Sequence, residues 1–282
     1  MAASRGNLAV VTVAGVAAYS EALAGIREVG VDCDVLDVRD ERGLRNVVNS
    51  RDLVLAIAVG SDAATALDHL APAALPVVKS MLLESDLAGG SEQKHPGTAI
   101  TVDMPPAALI DRLVSLFPTR TRLGAIRGPR QTESDVRVLE QAAHERGLKL
   151  KVTSCWEARD LIDRFLKFKS DVDFVWCPPN PQLYNSVTLK PLLVTSVTNR
   201  LPVIAYSQQL VEAGALFGGA PDFRDVGRMT AGVALRILNR ESVPTKLKAR
   251  KFRFAYNQRV ARLVDVKATG LEHYGEDLLI IR

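Results

Sequence analysis

The residues of this chain that could do chemistry sit in short polar clusters directly after apolar runs. The most informative is Val59-Gly60-Ser61-Asp62-Ala63-Ala64. An apolar run ending in Gly-Ser at the start of a helix presents unpaired backbone N–H groups, a hydroxyl and the positive end of the helix dipole. That is a place for a carboxylate or phosphate oxygen. A plainer reading stands beside it, in which Ser61 only caps a helix over 62–70. Asp62 argues against a highly charged anion. Arg127-Gly128-Pro129-Arg130 follows the run ending at Ile126, and a guanidinium there pairs with carboxylates. Arg127 adjoins the strand and is the better candidate of the two arginines. Further polar residues trail other apolar runs at Lys79-Ser80, Pro178-Pro179-Asn180 and Tyr206-Ser207-Gln208. Tyr19 and Tyr206 follow the first and last strands of their halves, where a ring either stacks on a ligand or packs. The candidate ligand-binding set is Tyr19, Gly60, Ser61, Ser80, Arg127, Asn180, Tyr206 and Gln208.

Catalysis and metal binding find little support. The chain has no G-x-G-x-x-G, no G-x-x-x-x-G-K-[ST] and no G-x-S-x-G. His69, His95, His144 and His273 are scattered, without carboxylate or cysteine partners at useful spacing. Cys177 ends a strand, but Pro178-Pro179 removes the helix start that usually lowers a thiol pKa. Trp176 lies inside the same strand and reads as core. The three cysteines, Cys33, Cys155 and Cys177, are isolated, which excludes a disulfide framework and a zinc site. A single Cys33–Cys155 bridge stays open, though nothing favours it. No cofactor and no metal are expected.

The chain has 282 residues, 47% hydrophobic and only 5% aromatic, with 19 Gly and 14 Pro. That composition excludes disorder and collagen, and the length suits two domains. Its 36 basic and 32 acidic residues leave a formal charge of +4. The densest basic cluster, Lys246, Lys248, Arg250, Lys251 and Arg253, has charges mostly two apart and reads as one face of a strand. No aromatics interleave with it, so nucleic acid is not an expected partner.

The clusters must be held by the elements between them. Apolar strands at Leu8–Val13, Asp34–Val38, Leu53–Val59 and Leu75–Val78 alternate with helices over 20–29, 41–50 and 62–70. The order then returns: strands Leu123–Ile126, Leu148–Val152, Val172–Cys177 and Leu201–Ala205 alternate with helices over 133–146, 156–168 and 185–199. Gly30 matches Gly147, Asp52 matches Asp173, and Leu75-Pro76 matches Leu201-Pro202. Buried strands separated by helices mean parallel sheets joined by right-handed crossovers. The fold class expected is α/β, two doubly wound parallel-sheet lobes with a ligand cleft between them. The first lobe would comprise 1–118 plus 222–250, the second 119–221 plus 251–282. No stretch of 18 apolar residues exists. Leu8–Ala18 followed by Ala22-Leu23-Ala24 imitates a signal peptide, but the repeat needs a strand there and Glu21 suits a cleavage region badly.

Taken together, these residues resemble the ABC-transporter substrate-binding proteins of the periplasmic type I fold, in the branch with tryptophan and other amino-acid receptors. The resemblance rests on Ala56–Ala64, Leu75-Pro76-Val77-Val78 and Gly97-Thr98-Ala99-Ile100 in the first half. In the second it rests on Arg122–Ile126, Asp173-Phe174-Val175-Trp176, Leu201–Ile204, Val211–Leu216, and Asp222–Asn239 with Tyr256-Asn257. It implies a non-catalytic receptor that closes over a small solute and delivers it to an ABC permease in the membrane. Ser61 would hold a ligand oxygen, with Asn180 and Tyr206 contacting the ligand from the second lobe. The chain departs from the family at Pro178-Pro179-Asn180 and at Arg127-Gly128-Pro129, and has no acidic group near Tyr206. A standard amino acid is thereby less expected, and Arg127 suggests a carboxylate or otherwise acidic small molecule instead; the ligand expected is small, carboxylate-bearing or amino-acid-like. The implied location is periplasmic or extracytoplasmic, with the leader absent from this chain, and a cytoplasmic location stays open. The alternatives are a ligand-sensing subunit signalling to a membrane kinase and, last, a cleft enzyme.

Overall fold

The computed structural model describes residues 8–31, 33–87, 94–180 and 182–282. In chain order the first segment forms β1 (Leu8–Thr12), α1 (Ala17–Glu28), β2 (Asp34–Asp37), α2 (Glu41–Val48), β3 (Leu55–Val59), α3 (Ser61–Leu70), β4 (Val77–Leu82), the single turn α4 (Glu84–Leu87) and β5 (Gly97–Thr101). The middle segment forms α5 (Pro106–Leu116), β6 (Arg122–Arg127), α6 (Glu133–Glu145), β7 (Lys149–Ser154), α7 (Leu161–Leu166), β8 (Phe174–Trp176), α8 (Leu189–Thr198), β9 (Val203–Ala205), α9 (Gln208–Ala213) and β10 (Phe217–Pro221). The last comprises α10 (Phe223–Leu238), β11 (Lys246–Lys248), β12 (Phe252–Asn257), α11 (Gln258–Leu263) and β13 (Leu278–Ile281).

The described residues fall into two compact units. The first runs to Asp103 and resumes over Pro221–Lys251; the second takes Met104–Ala220 and Phe252–Arg282. The sequence reading placed the first crossing at Pro118, fifteen residues beyond this division. The helix in between, α5, belongs to the second unit because Leu109, Ile110, Leu113 and Leu116 share a core with Leu123, Leu139, Phe174 and Phe217. The basic run read as one strand is also divided. β11 pairs with β5 in the first unit, and the chain then leaves for β12 in the second. Its charges are matched rather than free: Lys246 and Lys248 both meet Glu84, and Lys251 meets Asp225 at 3.0 Å.

In the first unit the sheet order is β11-β5-β4-β3-β1-β2, and all five pairings are parallel. β1 (LAVVT) and β3 (LAIAV) are buried along their whole length, as central strands covered on both faces must be. Helices α1 and α10 lie against each other at backbone distance. A Cβ on Gly25 would stand 2.0 Å from the Arg224 carbonyl oxygen, and one on Gly227 would stand 2.0 Å from that of Ala22.

In the second unit the order is β13-β12-β10-β9-β8-β6-β7. The pairings of β6 with β7 and β8, of β9 with β8 and β10, and of β12 with β13 are parallel. Its core stacks Phe217 on Phe254 at 5.8 Å and sets Phe117 5.1 Å from Phe174. The capping box at the start of α6 forms between Thr132 and Asp135. Of the matched landmarks, Gly30 and Gly147 end α1 and α6 with φ of +79° and +72°. Asp52 and Asp173 are not alike. Asp52 is exposed, whereas Asp173 is buried and accepts the N–H groups of Thr121 and Arg122. No helix among the described residues is long and apolar enough to cross a membrane.

Candidate functional site

Each sheet reverses direction once. In the first unit the reversal lies between β1 and β3, so the chain leaves those strands to opposite sides and their carboxyl ends open a crevice. Open α/β sheets bind ligands at such switch points. Two candidate residues meet there. Gly60 is the N-cap of α3, with φ +99° and ψ 162°, and a Cβ on it would stand 2.4 Å from the Tyr19 hydroxyl. Tyr19 belongs to the first turn of α1 rather than to the loop before it, since α1 starts at Ala17. Its phenol is raised above its ordinary pKa by burial, then by the Asp62 and Asp86 carboxylates.

Ser61 is the first helical residue of α3 and Gly60 the cap, so the plainer reading of Ser61 as the cap does not hold. The first intrahelical bond runs from Ala64 N–H to the Gly60 carbonyl. The N–H groups of Ser61, Asp62 and Ala63 are therefore left without intrahelical acceptors. Ser61 is partly exposed and brings a hydroxyl to the same helix start, so this end can receive one oxygen.

Ser80 leaves the candidate set. Lys79-Ser80 is interior to β4, not a loop after it. Side chains alternate across a strand. Ser80 thus faces α10, where its buried hydroxyl lies 2.6 Å from that of Thr230. Thr230 in turn donates to the Val226 carbonyl.

In the second unit the switch point lies between β6 and β8, at the loops carrying Arg127 and Asn180. Arg127 is not a free cation. Its Nε donates to the Gln131 carbonyl at 3.2 Å, its Nη1 meets Glu133, and its guanidinium lies 5.4 Å from the ring centre of Trp156. Asn180 is fully buried, and its role is to build the loop. Its Oδ1 accepts the N–H groups of Gln182 and Leu183, while Nδ2 donates to Gln131 Oε1 at 3.4 Å. Gln131 also accepts from Gly128 N–H and donates to the Pro179 carbonyl, tying the two loops together. A Cβ on Gly128 would stand 2.2 Å from Asn180 Nδ2, which is why glycine stands there.

Tyr206 is half-buried, 6.1 Å from Tyr184 between ring centres. Gln208 is exposed at the start of α9 and donates to Glu212. Cys177 is buried, and burial pushes its thiol up to about 12, the opposite of an activated nucleophile.

Sequence reasoning missed two residues here. Gln131 joins the loops, and Trp156 is 55% exposed just beyond the carboxyl end of β7. The expected helix over 156–168 begins only at Ala158, with a short 3-10 turn before α7, so Trp156 stands in the strand-to-helix loop. Its signal was an aromatic four residues beyond the strand expected over Leu148–Val152. The arrangement offers an oxygen receptor at the start of α3 and, in the second unit, an indole backed by a guanidinium. Among the described residues no three His, Cys, Asp or Glu gather where a metal could sit.

Comparison with known proteins follows this geometry. A family model for ABC transporter substrate binding proteins matches residues 43–269. No curated protein matches the chain in sequence. Among solved structures, the ligand-free, open form of CD0873, a substrate binding protein with adhesive properties from Clostridium difficile, is similar. It is 16% identical with TM-score 0.77, covering 99% of both chains. An ABC domain in complex with L-Trp from Streptococcus pneumonia is 16% identical with TM-score 0.68, covering 99% of this chain and 100% of that one. A periplasmic ribose ABC transporter protein from Conexibacter woesei is 12% identical with TM-score 0.65, covering 94% and 96%. At these identities the likeness establishes the fold, periplasmic-binding-protein type I, with two α/β lobes.

Proposed function

Since this chain belongs to the ABC transporter substrate-binding proteins and so is a binding receptor of an ABC-type system, we propose that its ligand is a small carboxylate with a flat apolar part, an aromatic acid or aromatic amino acid. The receptor works outside the cytoplasm and hands this ligand to a membrane permease. The observation that carries the ligand class is Trp156, whose exposed indole has the Arg127 guanidinium over its face. A planar group stacks on such a ring, and the neighbouring cation favours a planar group that carries negative charge. The carboxylate is then held at the start of α3 by the N–H groups of Ser61 and Asp62 and by the Ser61 hydroxyl. Arg127 assists at Trp156 while keeping Glu133. That one neighbour of this fold is solved with L-Trp and another is a ribose ABC transporter protein points to the loops, not the sheets, as the determinant of choice. The bound complex closes the two units over the ligand, because only a ligand touching both stabilises the closed form.

The test is a melting-temperature screen of the purified protein against amino acids, aromatic acids, short carboxylates and sugars. Binding to the folded state alone stabilises by about 2.7 kcal/mol at one hundred times the dissociation constant, so a true ligand shows clearly. An aromatic carboxylate is expected as the hit, weakened by about tenfold or more in Trp156→Ala and in Ser61→Ala, as the loss of one good contact each implies. A screen in which only sugars stabilise, or a hit indifferent to both substitutions, would overturn this reading.

A further inference from the structure

Away from the switch point, the first unit carries a partly open pocket of about 240 Å³, lined by Val77, Lys79, Leu87, His95, Ala99, Thr245 and Lys246. It lies at the other end of the sheet from the candidate site: Val77 and Lys246 are the first residues of β4 and β11, and His95 precedes β5. The alternation that turns Ser80 to α10 turns Lys79 to the opposite face, under α3. There its buried ammonium donates to Asp68 at 2.8 Å. His95 is 3% exposed, yet among the described residues neither ring nitrogen has a hydrogen-bond partner. Asp68 Oδ1 is 3.7 Å from its Nε2, within ion-pair range but beyond hydrogen-bonding range.

An imidazole buried without a partner costs stability unless something fills the space beside it. The lining says what that is. Donors dominate: a lysine ammonium carries three N–H groups, and Lys79 spends one on Asp68. His95 supplies a ring N–H, and Lys246 stands at the rim, partly exposed. The acidic neighbours, Asp68 and Glu84, are each already engaged by a lysine, and their presence disfavours a doubly charged anion. Val77, Leu87 and Ala99 make the rest of the wall apolar. We propose that this cavity is a second ligand site, taking a short-chain aliphatic monocarboxylate whose carboxylate meets His95 and Lys79 and whose tail lies against Val77, Leu87 and Ala99.

Sodium butyrate is the probe, and the His95 ring resonances, assigned by their loss in His95→Gln, are the readout. Saturable movement of those resonances is expected with butyrate, and none with butylamine or with sodium chloride at equal concentration. Lys246→Ala should weaken binding several-fold and Lys79→Met by about tenfold, as removing a charge-assisted contact implies. Should Lys79→Met fail to fold, Lys246→Ala decides alone, since it alters only the rim. Ser61→Ala should leave the butyrate affinity unchanged, which separates this site from the one at α3 whatever the fate of the proposed function. Unmoved His95 resonances, equal movement with chloride or butylamine, or wild-type affinity in the folded variants would each overturn the proposal.

Discussion

Gly60 shows how one residue serves both fold and site. Its φ of +99° with ψ of 162° belongs to a region that only glycine occupies freely, and its missing side chain leaves the space that the Tyr19 hydroxyl fills. Gly60→Ala is expected to cost about 1–3 kcal/mol from the backbone alone, read as a lower denaturant midpoint, and to displace Tyr19. Cys177 makes the opposite point about chemistry. Its thiol stands at about 12 against an ordinary 9.0 because burial disfavours the thiolate. Below pH 9 folded and unfolded chains both keep this proton. As pH rises from about 9 towards 12 the unfolded chain releases it first, so this group withdraws stability with rising pH. Cys177→Ser should lose less stability than the wild type over that window in paired denaturant titrations. Alkylation of Cys177 at pH 8 should require unfolding; labelling in the native protein would contradict its burial.

At the scale of the element, β4 divides its work between its two faces. Val77 and Lys79 face α3, and Ser80 faces α10, so neighbours in sequence enter different environments. The strand's true extent was not visible in the sequence, because Lys79-Ser80 interrupts the apolar run and reads as the loop after it. The α1–α10 pair depends on glycine in the same way that Gly60 does. A methyl on Gly227 would meet the backbone of Ala22, which no rotamer change can relieve. Gly227→Ala is expected to destabilise by about 1–3 kcal/mol, and heat denaturation would show it. β10 reads FGGAP, the composition of a turn, yet it is an interior strand between β9 and β12. It is glycine-rich because Phe254 and Met104 lie against Gly219, where a Cβ would come within 2.7 Å of Phe254.

At the scale of the molecule, three crossings join two units of like architecture, after Asp103, Ala220 and Lys251. A receptor that closes on its ligand should become more compact in solution. Small-angle scattering of the protein with the screened hit is expected to give a smaller radius of gyration than without it. A ligand that binds tightly and leaves the radius unchanged would contradict closure. The same comparison in Trp156→Ala should require more ligand to reach the same compaction, since that residue acts through affinity.

Periodicity and glycine punctuation were enough to set out most strands and helices and their parallel order. Hydrophobic burial and crossover handedness act locally along the chain, and their marks survive in composition. The loop after β3 was legible for the same reason, because a Gly-Ser at a strand–helix junction has a local meaning. Placement was another matter. α5 belongs to the second unit because its apolar face meets Phe174 and Phe217, which lie far along the chain. Asn180 turned inward, Arg127 acquired Glu133, and Trp156 was left exposed by packing among distant segments. The cavity beside His95 likewise exists only because α4, β4, β5 and β11 converge there. The residues that a fold requires are written in local pattern, whereas which polar groups are left over to meet a ligand depends on who else has already bonded them.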